Sequence, residues 1–199
     1  HCFNISYIPC ANYQSSRIRI FFDHVYHLRN LINTATISFW PVAPLVSIIC
    51  SVYNVERFVG AAIESVLEQG YPHWELLIGL DGCTDGTAGI VRGYADSRIK
   101  MWELPKQGLS ATRNFLVQQA TGDFICMFDG DDVMPARAIA SRLEVLCRRP
   151  SVSFVDGAVE FRNSDLTRIV GYYRPSLRGE PLPHLLANDG RCFFGNTWM

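Results

Sequence analysis

Between residues 45 and 149 the chain alternates two apolar patterns. The run "LVSIICSVY" (45–53) is continuous and β-rich, as expected of a strand covered on both faces. "WELLIGL" (74–80), "IKMWEL" (99–104) and "DFICMFD" (123–129) read as further strands. Between them lie segments of helical spacing, at 56–70, 86–95 and 109–120, and a fourth over 136–149 stops before Pro150. In the first, Phe58, Ala62, Ile63, Val66 and Leu67 share a face, and Gly70 is a natural stop. A strand-like stretch over 151–161 follows, with 168–174 as a candidate to pair beside it. Residues 1–44 fit neither pattern clearly. Residues 16–32 carry loosely helical spacing, which suits a short amphipathic helix on the core or on a membrane surface, but a poorly ordered extension is the simpler reading. Residues 45–199 are therefore taken as the domain.

Short connections between alternating strands and helices imply an α/β fold, a mostly parallel sheet with helices on both faces. Ligands of such sheets bind beyond the carboxyl ends of the strands. That edge collects "SVYN" after the first strand, "DGCTDGT" after the second and "DGDD" after the fourth.

Composition narrows the class without changing it. The 199 residues are 48% hydrophobic and 19% charged, enough for one sizeable core, and the net charge of -1 argues against a nucleic-acid binder. The longest apolar stretch is interrupted by Pro41 and Pro44, so no membrane span is expected. Residues 1–15 carry no secretory pattern. The seven cysteines are odd in number and form no CxxC pair, and they read as reduced core thiols of a cytoplasmic protein. Residue 1 is His1, the first methionine is Met101, and the chain stops at "CFFGNTWM", so a piece of a longer protein is expected.

The acidic edge carries the candidate chemistry. Asp129, Asp131 and Asp132 crowd like charge behind an apolar strand, which desolvation and repulsion oppose. A hard dication sharing oxygen ligands with a substrate diphosphate would relieve it; a solvated acidic turn is the competing reading. Asp81 ends its strand ahead of a glycine turn, where a carboxylate can accept from a ribose hydroxyl or a base N–H. Thr84 or Asp85 suits the cap of the next helix, and Ser110 the cap of the one carrying Arg113. A cation near a helix start hints at an anionic partner, with an ion pair as the alternative. Tyr53, beside Asn54, can stack on a base or plug the sheet edge.

The segments "VSIICSVYNVERFVGAAIESVLEQGYPHWELLIGLDGCTDGT", "KQGLSATRN" and "FICMFDGDDVMP", in this order, resemble a family-2 glycosyltransferase of the GT-A fold, over roughly residues 45–199. The resemblance implies a nucleotide-diphosphate sugar donor, most often a UDP-sugar, and Mg2+ or Mn2+. It places Tyr53 and Asp81 on the base, Arg113 in the nucleotide pocket, Asp129 near the ribose and Asp131 on the metal, with Asp132 behind it. Ser51, where the family commonly has proline, and Glu56, at its acidic position, complete the candidate donor-binding set. Leu80 replaces the first of two usual aspartates, and Lys106 a frequent asparagine. The implied reaction is inverting transfer to a saccharide, lipid-linked or protein acceptor, in polysaccharide or cell-envelope synthesis. It would take place in the cytoplasm or at the inner face of the membrane. The base is expected beyond residue 199, so the domain would be truncated at its C-terminal end. Rival readings are a degenerate nucleotide-sugar binding module and a sugar-phosphate nucleotidyltransferase. The latter wants a glycine-rich loop where this chain has "SVYNVERF".

Overall fold

The computed structural model describes residues 43–149, 151–163, 165, 167–177, 179, 183 and 199, together with the backbone of Arg19–Phe21. Four strands, β2 (Val46–Val52), β3 (Trp74–Asp81), β4 (Ile99–Leu104) and β5 (Phe124–Asp129), form one sheet in the order β4-β3-β2-β5. Every pairing within it is parallel. The continuous apolar runs of β2 and β3 explain their central places: every residue of both strands is buried. β4 mixes half-buried and exposed positions and β5 buried and half-buried ones, as edge strands do.

Helices cover both faces. Side chains from α1 (Val59–Leu67), α2 (Thr87–Arg92) and α4 (Ala138–Arg148) pack in the larger cluster with Ile48, Cys50, Leu76, Ile78 and Leu80 of the sheet. Each large apolar side chain fully buried there contributes about 1.5–3 kcal/mol. The opposite face is held by α3 (Leu109–Gln119), whose Leu116 packs on Ile49 and Leu77. That helix lies close because Gly79 has no side chain: a Cβ there would stand 2.5 Å from Thr112 Cγ2 and 3.2 Å from Leu116 Cδ1.

A second sheet, in the order β1-β6-β7, is antiparallel and comprises β1 (Arg19–Phe21), β6 (Val159–Arg162) and β7 (Ile169–Tyr173). The pairing of 168–174 beside the preceding strand is thus present, although of the stretch 151–161 only its end joins β6. Where residues 16–32 suggested a short helix or a poorly ordered extension, Arg19–Phe21 are strand, because these three pair with Glu160–Arg162. The rest of residues 1–42 lies outside the described residues, as does the segment 192–198. Met199 is buried and exchanges backbone hydrogen bonds with Val155.

Cys50, Cys83, Cys126 and Cys147 are free thiols, two of them buried; Cys2, Cys10 and Cys192 lie outside the described residues. Among the described residues no helix is long and apolar enough to cross a membrane.

Candidate functional site

The carboxyl ends of the four parallel strands meet on one edge, and the loops leaving them are sewn together by side chains. Asn54 Oδ1 accepts the N–H of Thr84 at 2.8 Å, and Asn54 Nδ2 donates to Thr84 Oγ1. Asp85 Oδ2 accepts the N–H of Glu56, and Thr87 Oγ1 that of Val55. Glu56 Oε2 in turn accepts the N–H of Gly86 at 2.7 Å, immediately before α2. Asn54 adopts φ 51°, a left-handed backbone that asparagine tolerates better than most residues. Each loop therefore supplies the acceptors for the other's backbone, and α1 begins at Val59 because residues 54–56 are committed to this seam.

Asp85 also accepts the N–H of Thr87, the first residue of α2, although the cap position itself falls to Gly86 and not to Thr84 or Asp85. Ser110 makes no cap: it lies inside α3, which starts at Leu109 behind Gly108. Asp81 instead fastens the loop that leads into α3. Its side chain is 2% exposed, and it accepts the N–H groups of Gln107 (2.7 Å) and Gly108 (3.1 and 3.2 Å) just ahead of α3. Lys106 Nζ completes the set, 2.9 Å from Asp81 Oδ2. Burial alone would raise the Asp81 carboxyl; the Gln107 N–H, the Lys106 ammonium and the Gly108 N–H outweigh burial and hold it below its ordinary value.

Lys106 has a second contact. Its Nζ sits 3.1 Å from the centroid of the Tyr53 ring, which is 46% exposed. The loop bearing Lys106 reaches this place over Gly82, whose φ is +67° and where a Cβ would lie 2.9 Å from the Lys106 nitrogen. Next to it an open depression of about 450 Å³ is lined by Gln107, Gly108, Leu109, Ser110 and Ala111.

On the other side of β2 stands the acidic turn. Ser51, buried near the end of β2, is the register partner of Gly79 on β3 and of Asp129 on β5. Asp81 and Asp129 thus end strands two apart, roughly 10 Å across the sheet at the usual strand spacing. Arg113, from the second turn of α3, places Nη2 2.5 Å from Asp129 Oδ1. The ion-pair alternative for Arg113 is therefore realised, with a candidate site carboxylate as its partner. Asp129, Asp131 and Asp132 bring one oxygen each within 4.8 Å of one another, and the Asp132 N–H closes the turn on the Asp129 carbonyl. Cys50 feels this charge from below: burial first, then Asp129 and Asp131, push its thiol far up. An acceptor-only set of three carboxylates at this separation fits a hard dication.

Sequence reasoning placed Tyr53, Asp81, Arg113, Asp129 and Asp131 on one edge, and the structure brings them there in two groups. Tyr53 and Asp81 meet through Lys106; Arg113 and the aspartates meet at the end of β5. Glu56 lies in the seam between loops. Leu80 is 2% exposed and belongs to the core beneath the edge. Lys106 was legible only as a departure from a familiar motif. Nothing local to it signals a partner 25 residues away.

Together, the sheet order, the covering helices and the acidic edge define a GT-A architecture. The mannosyltransferase PcManGT from Pyrobaculum calidifontis, solved in complex with GDP-Man and Mn2+, superposes with a TM-score of 0.53 at 27% identity, over 57% of this chain and 35% of that one. The chain belongs to glycosyl transferase family 2, whose model matches residues 47–196. Among its relatives is the UDP-Glc:alpha-D-GlcNAc-diphosphoundecaprenol beta-1,3-glucosyltransferase WfgD of Escherichia coli, 37% identical over 65% of this chain and 50% of the relative. Another is the putative teichuronic acid biosynthesis glycosyltransferase TuaG of Bacillus subtilis, 35% identical over 53% and 43% respectively. The chain thus spans half or less of the length of these curated relatives.

Proposed function

We propose that this edge binds a nucleoside-diphosphate sugar, a UDP-sugar in the first instance, together with Mg2+ or Mn2+, and presents it for inverting transfer to an acceptor hydroxyl. The observation that carries the reading is the grouping of Asp129, Asp131 and Asp132 within 4.8 Å, two strands from Asp81. Crowded carboxylates at a ligand-binding edge suit a dication and a diphosphate that neutralise one another. Similarity to a UDP-glucose-dependent relative and to a neighbour solved with Mn2+ supports the same donor class.

In this reading Asp131 holds the metal and Asp132 backs it. Arg113 fixes the Asp129 carboxylate, which faces the ribose, while Tyr53 and Asp81 take the base. Ser51 forms the floor under them, and Glu56 positions the loops by its bond to Gly86 rather than by touching the donor. A bound Mg2+ or Mn2+ would offset the charge gathering on the departing diphosphate. The acceptor oxygen bonds to the anomeric carbon from the opposite face, the bond from that carbon to the diphosphate oxygen breaks, and the acceptor proton passes to a carboxylate base. No described residue is assigned as that base. A saccharide or lipid-linked acceptor, as in the WfgD name, fits peripheral association of the whole protein with a membrane.

The test is calorimetric titration of UDP and GDP with and without Mn2+. Wild type is expected to bind UDP in a metal-dependent way, and Asp131→Ala to weaken that binding roughly 100-fold, about 2.7 kcal/mol, with an unchanged far-UV spectrum. Unaltered affinity in Asp131→Ala would remove the metal site from the proposal.

A further inference from the structure

We infer that Lys106 is the protein's own occupant of the base subsite, so that a donor binds by expelling its ammonium group from between Tyr53 and Asp81. The inference rests on the donor-site reading above, and it assigns to Lys106 a part that neither the family match nor any relative's name contains.

The geometry is specific. Nζ lies 3.1 Å from the Tyr53 ring centroid, and a flat base cannot stack on that face while the ammonium is there. The same nitrogen donates to Asp81 Oδ2 at 2.9 Å. Asp81 Oδ1 is held mainly by the Gln107 N–H at 2.7 Å, so Oδ2 is the oxygen a ligand N–H would reach once the ammonium has left. One side chain thus covers both the stacking surface and the acceptor.

Leaving is easy for Lys106 and unnecessary for the rest of the loop. The Lys106 side chain is 50% exposed, whereas Asp81 is 2% exposed and keeps two backbone N–H donors when the ammonium departs. The base replaces what is lost: a π face on the tyrosine ring and an N–H on the carboxylate. The open depression along Gln107–Ala111 gives the side chain and the ligand room to exchange places. Lys106 therefore acts as an internal competitor for nucleotides. A ligand without a base, such as pyrophosphate, does not meet it.

A half-exposed ion pair and a cation–π contact together are worth about 1–1.4 kcal/mol, equivalent to roughly five- to tenfold in affinity. Lys106→Met is accordingly expected to bind UDP with Mn2+ about five- to tenfold more tightly than wild type, while pyrophosphate with Mn2+ binds no more tightly. Lys106→Arg, which keeps the cation, is expected to stay near wild type. Weaker or equal UDP binding by Lys106→Met, or an equal gain for pyrophosphate, would overturn the inference.

A second measurement needs no substitution at Lys106. In free wild-type protein the Lys106 side-chain protons nearest Nζ should resonate upfield in the shielding region of the Tyr53 ring, and should return to ordinary values on saturation with UDP and the diamagnetic Mg2+. No upfield shift in the free protein, or a shift that persists at saturation, overturns the inference while leaving nucleotide binding intact. If wild type binds neither UDP nor GDP, the donor-site reading fails, and the base subsite fails with it. Titration alone separates that result from the others.

Discussion

The two ends of the parallel sheet handle buried acid in opposite ways. At the amino end, Glu75 is 5% exposed and every neighbour serves it: Ser47 Oγ donates at 2.6 Å, the Thr121 N–H at 2.7 Å, Thr121 Oγ1 at 2.9 Å and Lys100 Nζ at 2.8 Å. The Gly122 N–H donates to Ser47 Oγ, so the knot ties together β2, β3, β4 and the turn before β5. At the carboxyl end three aspartates face one another within 4.8 Å, and Asp81 shares its ammonium with an aromatic ring that stands open to solvent. A carboxylate saturated by protein donors is a structural fastener. In the proposed function, carboxylates that crowd one another, or share a half-exposed cation, are the ones that receive the ligand. The same residue chemistry thus fastens the sheet at one end and, in the proposed function, binds the donor at the other.

The largest effect should come from untying the amino end. Glu75→Ala leaves Ser47, Thr121 and Lys100 without their acceptor and is expected to cost about 3–5 kcal/mol in urea denaturation, with UDP affinity kept in whatever fraction remains folded.

A pH series sharpens the point without mutation. Burial would raise the Glu75 carboxyl, but Lys100, Ser47 and Thr121 outweigh it and hold the group at about 2. A carboxyl lowered in the folded state stabilises fully above its unfolded value, near 4.3, and that stability drains as pH falls toward the folded value. Wild type should lose on the order of 3 kcal/mol between about pH 4.5 and 2 from this group, and Glu75→Gln should lack that component. Superimposable pH profiles for the two would mean that the knot is not what the geometry says.

At the carboxyl end, Gly82→Ala should cost about 1–3 kcal/mol. A left-handed backbone disfavours the added Cβ, which would also press on the Lys106 backbone at 2.9–3.0 Å. UDP affinity should change with stability here, unlike at Glu75.

The smallest and opposite effect belongs to Asp131→Asn. Relieving like charge should raise the stability of the metal-free protein by about 0.5–1 kcal/mol at low salt. Mn2+ with UDP should then raise the melting temperature of wild type only. Destabilisation by Asp131→Asn would place that carboxylate among the fasteners and erase the contrast.

Much of this was readable along the chain. The runs at 45–53 and 74–80 announced central strands, and both are buried along their whole length. Asp81 and Asp129 were legible as edge residues because each ends an apolar run. Helix limits were less legible, since Glu56 looks helical in composition but serves the seam with Asp85 and Gly86. The helix suggested over 16–32 was corrected at Arg19–Phe21, where pairing with β6 decides the backbone. Three residues carry too little periodicity to announce a strand.

Periodicity and turn chemistry, written into neighbouring residues, were enough for the alternation of strands and helices and for the acidic edge. Which charge meets which was decided by the order β4-β3-β2-β5 and by the seating of α3 on Gly79. Lys106 finds Asp81 across 25 residues, Arg113 finds Asp129 across 16, and Thr121 finds Glu75 across 46. Such pairings depend on the spatial adjacency of strands, which no local window of sequence contains.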